Sequence, residues 1–362
     1  WGAGGNGQLG TGNTTSQPLP TQAGTVASWS SLAAGSTHAL ALRQNGTLWA
    51  WGGNYNSQVG NGATATAQPT PVQLGTATWL SISAGNSFSL AVRQDGTLWG
   101  WGSNDQGQLG LGTTASPQKT PTQIGTVTTW KSVSGGGSHT LAVRQDGTLW
   151  AWGYNGLGQL GTGNTTSLTV PTQIGTATNW QSVAAGSYHS LAVKTDGTLW
   201  AWGENDLGEL GINSYLAVQP TPTQVGTATN WQSVAVGATH TAAVRADGSL
   251  WTWGDNVYGQ LGYGSSANPV PLYIAAGGTV LAGATPTPAA TAWSLAPNPA
   301  HGRAQLLGLP AGPVAGQLFD AQGRLVRTTT LAEVELEGLA PGLYLLRAAV
   351  GGATRTLRLV VE

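Results

Sequence analysis

The sequence predicts an all-β fold of four-stranded repeats, each about 50 residues long, with a small C-terminal Ig-like β-sandwich behind them. Three observations carry the first part. Trp-Gly pairs begin at Trp1, Trp51, Trp101, Trp152, Trp202 and Trp253, so every step is 50 or 51 residues. A fixed period in this range marks a repeat architecture, in which each unit buries its apolar faces against its neighbours. An Asn-Gly or Asp-Gly pair precedes each later Trp-Gly: Asn45-Gly46, Asp95-Gly96, Asp146-Gly147, Asp196-Gly197 and Asp247-Gly248. Composition agrees, with 56 Gly and 17 Trp in 362 residues and only 7% charged, which suits short strands and tight turns more than helices.

One unit runs from Trp152 to Ala201. It opens on a Gly-rich loop, Trp152-Gly153-Tyr154-Asn155-Gly156-Leu157-Gly158-Gln159-Leu160-Gly161. Val170 to Gly175 is short and extended. Trp180 to Gly186 and His189 to Lys194 follow as strands, Asp196-Gly197 makes the turn, and Thr198 to Trp202 closes the unit. Asp-Gly between two apolar runs predicts a two-residue hairpin with a type I′ turn, which needs φ > 0 at both central residues. In the hairpin strand before the second Trp-Gly, Leu48 and Ala50 share one face and Trp49 and Trp51 the other. A sheet that is apolar on both faces must be covered on both. Stacking such sheets radially into a β-propeller does this and shortens the free edges.

Charge and residue usage exclude several functions. The net charge is -1, and residues 1–291 carry seven Lys or Arg against nine Asp or Glu. That balance lacks the basic surplus that a phosphate backbone requires, so no nucleic-acid partner is expected. Absence of Cys removes disulfides and thiolate chemistry. No apolar run reaches about 18 residues, so no membrane span is expected. The chain opens at Trp1 inside a repeat and without an initiator Met, and so reads as a fragment or a trimmed product.

Three linked motifs now identify a resemblance. The runs Gly186-Ser187-Tyr188-His189-Ser190-Leu191-Ala192-Val193, Asp196-Gly197-Thr198-Leu199-Trp200-Ala201-Trp202-Gly203 and Asn155 to Gly161 recur together in five units. Over residues 1–274 the chain resembles the regulator of chromosome condensation repeat. The resemblance implies a propeller, usually of seven blades. Five units are complete and a sixth, from Trp253 to about Ile274, is partial. An upstream half-repeat would complete six blades by the closure that the family uses, with seven as the alternative.

His38, His139, His189 and His240 recur at one position, where the second unit has Phe88. With no accompanying carboxylates they read as structural hydrogen-bonding groups and not as a metal site. Arg43, Arg93, Arg144, Lys194 and Arg245 read as strand-end cations neutralised by an Asp two residues on, as in Arg93 and Asp95. The loop Gly102-Ser103-Asn104-Asp105-Gln106-Gly107 lacks the Lys-Ser/Thr of a phosphate loop and no helix follows it. Three Trp per unit in fixed register, such as Trp180, Trp200 and Trp202, predict packing between blades. No cofactor, metal or catalytic residue is expected.

Variation between units points to recognition, since variable loops on a rigid scaffold are where binding resides. The stretches after the Gly-Gln-Leu-Gly runs differ, from Thr11-Gly12-Asn13 to Ile212-Asn213-Ser214-Tyr215, and so do the residues after Trp-Gly. The candidate contacts are Tyr55, Asp105, Tyr154, Glu204, Asp206, Tyr215, Asp255 and Tyr258, with Tyr favoured at interfaces.

After Ile274 the chain changes. Residues 275–291 are rich in Ala, Gly, Thr and Pro and read as a linker. Residues 292–362 alternate apolar and polar, with Gly and Pro turns, and read as the β-sandwich. Pro297-Asn298-Pro299-Ala300, Asp320 with Gly323-Arg324-Leu325-Val326, and Leu339-Ala340-Pro341-Gly342-Leu343-Tyr344-Leu345-Leu346 stand in order along it. On these residues the segment resembles the type A C-terminal sorting domain of the type IX secretion system. The resemblance implies export across the outer membrane of a Gram-negative bacterium, removal of the tail, and release or surface anchoring.

Taken together, the expectation is a secreted or cell-surface binding module that recognises a protein or a glycan and is not an enzyme. Eukaryotic relatives of the repeat family exchange nucleotides on a small GTPase by means of an inserted wedge-like hairpin. The constant period here leaves no room for that insertion. Some bacterial relatives inhibit a secreted enzyme by capping it. The alternatives are a polysaccharide-acting hydrolase using carboxylates such as Glu204, Asp206 and Glu209, and an intracellular exchange-like factor.

Overall fold

A computed structural model of the chain describes residues 1–25, 28–214, 216–262, 268–274, 280–281, 294–296, 303–307, 314–320, 324–329, 333–350 and 353–361. It divides into two compact units, Trp1–Gly283 and Ala284–Glu362. Among the described residues no helix is long and apolar enough to cross a membrane.

The first unit repeats one antiparallel four-stranded sheet. In the third sheet the strands are Trp130–Gly135, His139–Arg144, Leu149–Gly153 and Leu168–Gln173, paired in chain order from the inner to the outer edge. Five such sheets are complete among the described residues. The first two share the strand Ala67–Ala84, whose first half is outer in one sheet and whose second half is inner in the next. Residues 1–25 repeat the other half of a unit: Gly2 bridges Gln17 as Gly52 pairs with Gln68.

Stacking follows from the two apolar faces of each sheet. The Leu face of one sheet (Leu141, Val143, Leu149) packs on the Trp face of the next (Trp180, Ala192, Trp202) in one buried cluster. The following junction repeats this with Leu191, Val193 and Leu199 against Trp231, Ala243 and Trp253. Hydrogen bonds join the same neighbours. Trp202 Nε1 donates to the Gln159 carbonyl of the preceding unit at 2.9 Å, and Trp152 Nε1 to that of Gln108 at 3.0 Å. Gly161 has φ +77° and lies against the Trp202 indole, so a side chain there meets both backbone strain and the ring.

The His series is structural. His139 Nε2 lies 2.9 Å from Ser190 Oγ of the next sheet, and His38 Nε2 lies 2.9 Å from Ser89 Oγ. Each ring rests on the glycine three residues earlier, Gly136 or Gly35, which accounts for the Gly-x-x-His spacing. Burial holds His38 down to about 4, and His139 and His189 to about 3, so all three are neutral near pH 7. Among the described residues no three His, Cys, Asp or Glu gather as a metal site.

Two sequence expectations change. The Asp-Gly hairpin is not a type I′ turn, because only the Gly has positive φ: +79° at Gly96, while Asp95 keeps the ordinary sign. Gly96 N–H donates to the Arg93 carbonyl at 3.0 Å and Arg93 N–H to that of Thr97 at 2.9 Å. That is a three-residue loop, a type I turn with the Gly at the bulge. Asp95 keeps its conformation because its carboxylate accepts from Thr97 N at 2.9 Å and Thr97 Oγ1 at 2.6 Å. These hydrogen bonds, with a lesser pull from Arg93, hold Asp95 below the usual carboxylate range.

The cations are not principally partnered by that Asp either. Arg144 Cζ lies 3.5 Å from the Trp150 ring centroid and 4.6 Å from that of Trp130. Those two rings meet edge-on at 5.9 Å. All five members of the series lie over such a Trp pair, with Lys194 Nζ 4.0 Å from Trp200. A desolvated cation over an indole face contributes about 1–2 kcal/mol, more than an exposed ion pair.

In the second unit, Ser294–Ala296, Arg303–Leu307 and Glu333–Glu335 form one antiparallel sheet, and Leu325–Thr329, Val314–Phe319, Gly342–Val350 and Ala353–Val361 another. Ala304 and Val334 from the first share a core with Leu318, Tyr344, Leu346 and Leu359 from the second. Of the quoted motif residues, Pro297, Asn298, Pro299, Ala300 and Gly323 lie outside the described residues. Arg324 pairs with Asp320 at 2.7 Å, and Tyr344 is buried with its hydroxyl donating to the Ala340 carbonyl at 2.8 Å. Pro341 and Gly342, between them, are exposed.

Candidate recognition face

Each third strand ends in Trp-Gly on the side of the sheet opposite the Asp-Gly hairpin, and a loop built on one buried Asn follows. Asn104 Oδ1 accepts from Leu109 N at 3.0 Å, while its Nδ2 donates to the Thr113 and Ala115 carbonyls at 2.8 and 3.2 Å. Asn155 does the same with Leu160, Asn164 and Thr166. Gln108 Oε1 accepts from Gln106 N at 2.9 Å and tightens the turn. One amide therefore satisfies three backbone groups, so the loop is fixed while its tip residues are free to vary.

The loops between inner and second strands lie on the same side. Tyr154 N–H donates to the Ser138 carbonyl and Glu204 N–H to that of Tyr188, at 2.9 and 3.0 Å. Where these loops converge they line a depression of about 240 Å³ with Gly35, Gly85, Asn86, Gly136 and Gly186 among its walls and no charged side chain. Backbone bonds link neighbouring units there, from Asn86 N to the Gly136 carbonyl and from Gly137 N to the Gly186 carbonyl, both at 3.0 Å.

On this face the candidate residues fall into two registers. Tyr55, Asp105 and Asp206 occupy the turn just after the buried Asn, and all are exposed, with Tyr55 at 67%. Tyr258 is one residue further on and 91% exposed, next to exposed Val257. Tyr154, Glu204 and Asp255 follow Trp-Gly directly and are half-buried. Tyr154 meets Tyr188 edge-on at 6.4 Å, which adds an exposed Tyr that the sequence reading missed. Its signal was the variable residue before each His. Tyr215 lies outside the described residues.

Asp255 is a brace more than a free contact. It accepts from Val257 N at 3.1 Å, Gln260 Nε2 at 2.9 Å and Thr239 Oγ1 at 3.2 Å. Asp105 accepts from Ser103 Oγ at 3.0 Å and is otherwise exposed. Burial raises Glu204, helped by the charge of Asp206. Burial also raises Glu209, to about 7.

Exposed aromatic and acidic side chains on one side of a frame of buried sheets define a β-propeller protein-interaction module. The chain belongs to the RCC1-like domain family, whose profile (WD40_RLD) matches residues 1–295. It is similar to the ultraviolet-B receptor UVR8 of Arabidopsis thaliana, 34% identical over 134 residues, which are 37% of this chain and 19% of the receptor. It is also similar to the human E3 ubiquitin-protein ligase HERC2, 46% identical over 43 residues, 12% of this chain and 1% of the ligase. The chain thus spans under a fifth of either relative. Among solved structures, human WBSCR16 matches with TM-score 0.65 and 22% identity, covering 76% of each chain. A structure of Kap60 bound to yeast RCC1 (Prp20) matches with TM-score 0.59 and 23% identity, over 77% of this chain and 83% of that one. At these identities the two structures show the shared fold.

Proposed function

We propose that the propeller is a secreted or cell-surface binding module that presents the loop face of Tyr55, Tyr154, Tyr188 and Tyr258 to a protein partner. The observation that carries this reading is the contrast within each unit. The Trp, His, Asn and Gln frame repeats nearly unchanged, while the tips above it alternate between Tyr, Asp, Leu and Gly. Tyr at 67% and 91% exposure supplies large contact area at low entropic cost, and at these tips no packing demand accounts for it. A glycan is the second ligand class, since the same rings offer stacking faces. A propeller of six blades, with seven as the alternative, goes with this reading.

The extracellular assignment rests on the resemblance of residues 292–362 to a type IX sorting domain. An exchange-factor role is the alternative that the RCC1 structures bring to mind. Photo-crosslinkers placed at Tyr55 or Tyr258, with controls at Asp95 or Asp146 on the opposite face, test the recognition reading in the native host. Capture of one protein from the first pair alone supports it; equal capture from both faces refutes it. Cell fractionation with intact mass tests the export. Protein outside the cell and shortened near residues 275–291 supports it, and cytoplasmic protein ending in Glu362 overturns it.

A further inference from the structure

The fourth of the loops built on a buried Asn departs from the others at one buried position. The residue two before its closing Gly is Gln in the other four (Gln58, Gln108, Gln159, Gln260), and also in the first Trp-Gly loop (Gln8), where Gly4 stands in place of the Asn; here it is Glu209. One side-chain oxygen does the common work, since Glu209 Oε2 accepts from Leu207 N at 2.9 Å as Gln108 Oε1 does from Gln106 N. The other terminal atom distinguishes the copies. Gln108 Nε2 donates to Ser103 Oγ at 3.1 Å, and Gln260 Nε2 donates to Asp255 Oδ2 at 2.9 Å. Both acceptors belong to the residue that directly follows Trp-Gly. In the fourth loop that residue is Glu204.

Glu209 is fully buried, and its Oε1 has no hydrogen-bond partner. An ionised carboxylate only accepts, so Glu209 and Glu204, at the two positions that a hydrogen bond joins in Gln108–Ser103 and Gln260–Asp255, have no donor between them when both are ionised. We propose that Glu209 and Glu204 share one proton, the Glu209 carboxylic acid donating to the Glu204 carboxylate where Gln108 and Gln260 donate an amide N–H, and that this pair is a pH-sensitive joint of the propeller. No bond but the O–H changes, and the proton exchanges with solvent through the half-exposed Glu204. Gln58 Nε2 donates instead to Thr37 Oγ1 at 3.4 Å, and Gln159, opposite Tyr154, leaves its Nε2 unpaired, so the arrangement at this slot follows the residues around it and the acid pair is one more.

Position makes the joint consequential. The Glu209 carbonyl accepts from Trp253 Nε1 and Thr241 Oγ1 of the fifth sheet, both at 2.9 Å. Movement of this loop therefore reaches the packing between the fourth and fifth sheets. The charges acting on Glu209 are Glu204 and Asp206, both on its own loop. On the fifth sheet, the charge of Asp255 acts on His240, and His189 Nε2 lies 3.4 Å from Thr241 Oγ1. Burial raises Glu209 from 4.5 to about 7, with smaller contributions from Glu204 and Asp206. The folded state then holds more protons than the unfolded state between those two values. Stability from this site is full below 4.5, is lost as pH rises toward 7, and is level above it.

The test compares thermal unfolding of the full chain with that of Glu209→Gln between about pH 4.5 and 8.5, where the buried His contributions cancel in the difference. Glu209→Gln is expected to match the parent near the acid end and to melt about 3 °C higher at the alkaline end. A constant gap, or one that grows toward acid, overturns the proposal. Glu204→Gln, at a half-exposed position, offers an amide donor to an ionised Glu209 and is expected to flatten the gap as well. An unchanged gap in that variant also overturns it. The infrared band of a protonated carboxyl should fade between about pH 6 and 8 in the parent and be absent from Glu209→Gln; its persistence in the variant counts against the pair.

Discussion

The third and fifth sheets share one sequence pattern, and their core positions nevertheless differ in burial. Leu149 in the third is 0% exposed, and its counterpart Leu250 in the fifth is 40% exposed. His139 is fully buried, while His240 is only half-buried. Leu149 packs under Trp180 and Trp202 of a following sheet, and no described sheet follows the fifth. The burial of a strand in this repeat therefore depends on the neighbouring sheet as well as on its own, as in any stacked array.

Substitutions at paired positions break or sharpen this contrast. Leu149→Ala should cost about 2–5 kcal/mol, and Leu250→Ala about 1 kcal/mol or less, by chemical denaturation. Equal costs would mean that the fifth sheet is covered in solution.

Acid is the next lever. The folded pKa of His189 lies at about 3 against 6.5 unfolded, so the folded state holds fewer protons between those values. Stability is therefore lost as pH falls from 6.5 toward 3. His189→Phe places there the residue that Phe88 already is at the same repeat position. It should lose little near pH 7.5 and melt above the parent near pH 4.5, by a larger margin than His240→Phe does. Identical margins would show that burial is not what separates the two sheets.

Smaller effects follow at the surface. Arg144→Ala removes the cation over Trp130 and Trp150 and should cost about 1–2 kcal/mol, little changed by added salt. Strong salt sensitivity would restore the ion-pair reading. Asp146→Ala loses the hydrogen bonds to Thr148 and should cost about 0.5–1.5 kcal/mol. Tyr258→Ala should change stability by under about 0.5 kcal/mol while abolishing partner capture.

Much of this was legible because repetition makes each position visible several times. The spacing of Trp-Gly, the strand count and the packing role of Trp and His could all be read along the chain. Partners across a junction could not. His139 meets Ser190 and Trp202 meets Gln159, 51 and 43 residues away, and only stacking brings such pairs together. Arg144 was matched to the nearest opposite charge, Asp146, because sequence shows proximity along the chain and not the indole faces folded over it. The hairpin was misread for a related reason. Asp-Gly suits two turns, and the choice depends on whether the Asp side chain is engaged by the following Thr.

The candidate face divides in the same way. That the loops vary while their frame does not was a fact of sequence. Which tips stand clear was not, since Tyr154 leans on Tyr188 and Asp255 is tied to three donors, whereas Tyr55 and Tyr258 project freely. The sequence alone determined the repeat, its period and the identity of the buried frame, because local patterning and turn chemistry act over a few residues. Tertiary structure decided which groups lose water, and hence that burial raises Glu209 and lowers His139 and His189. Burial is a property of the neighbouring sheet, and no strand encodes it by itself.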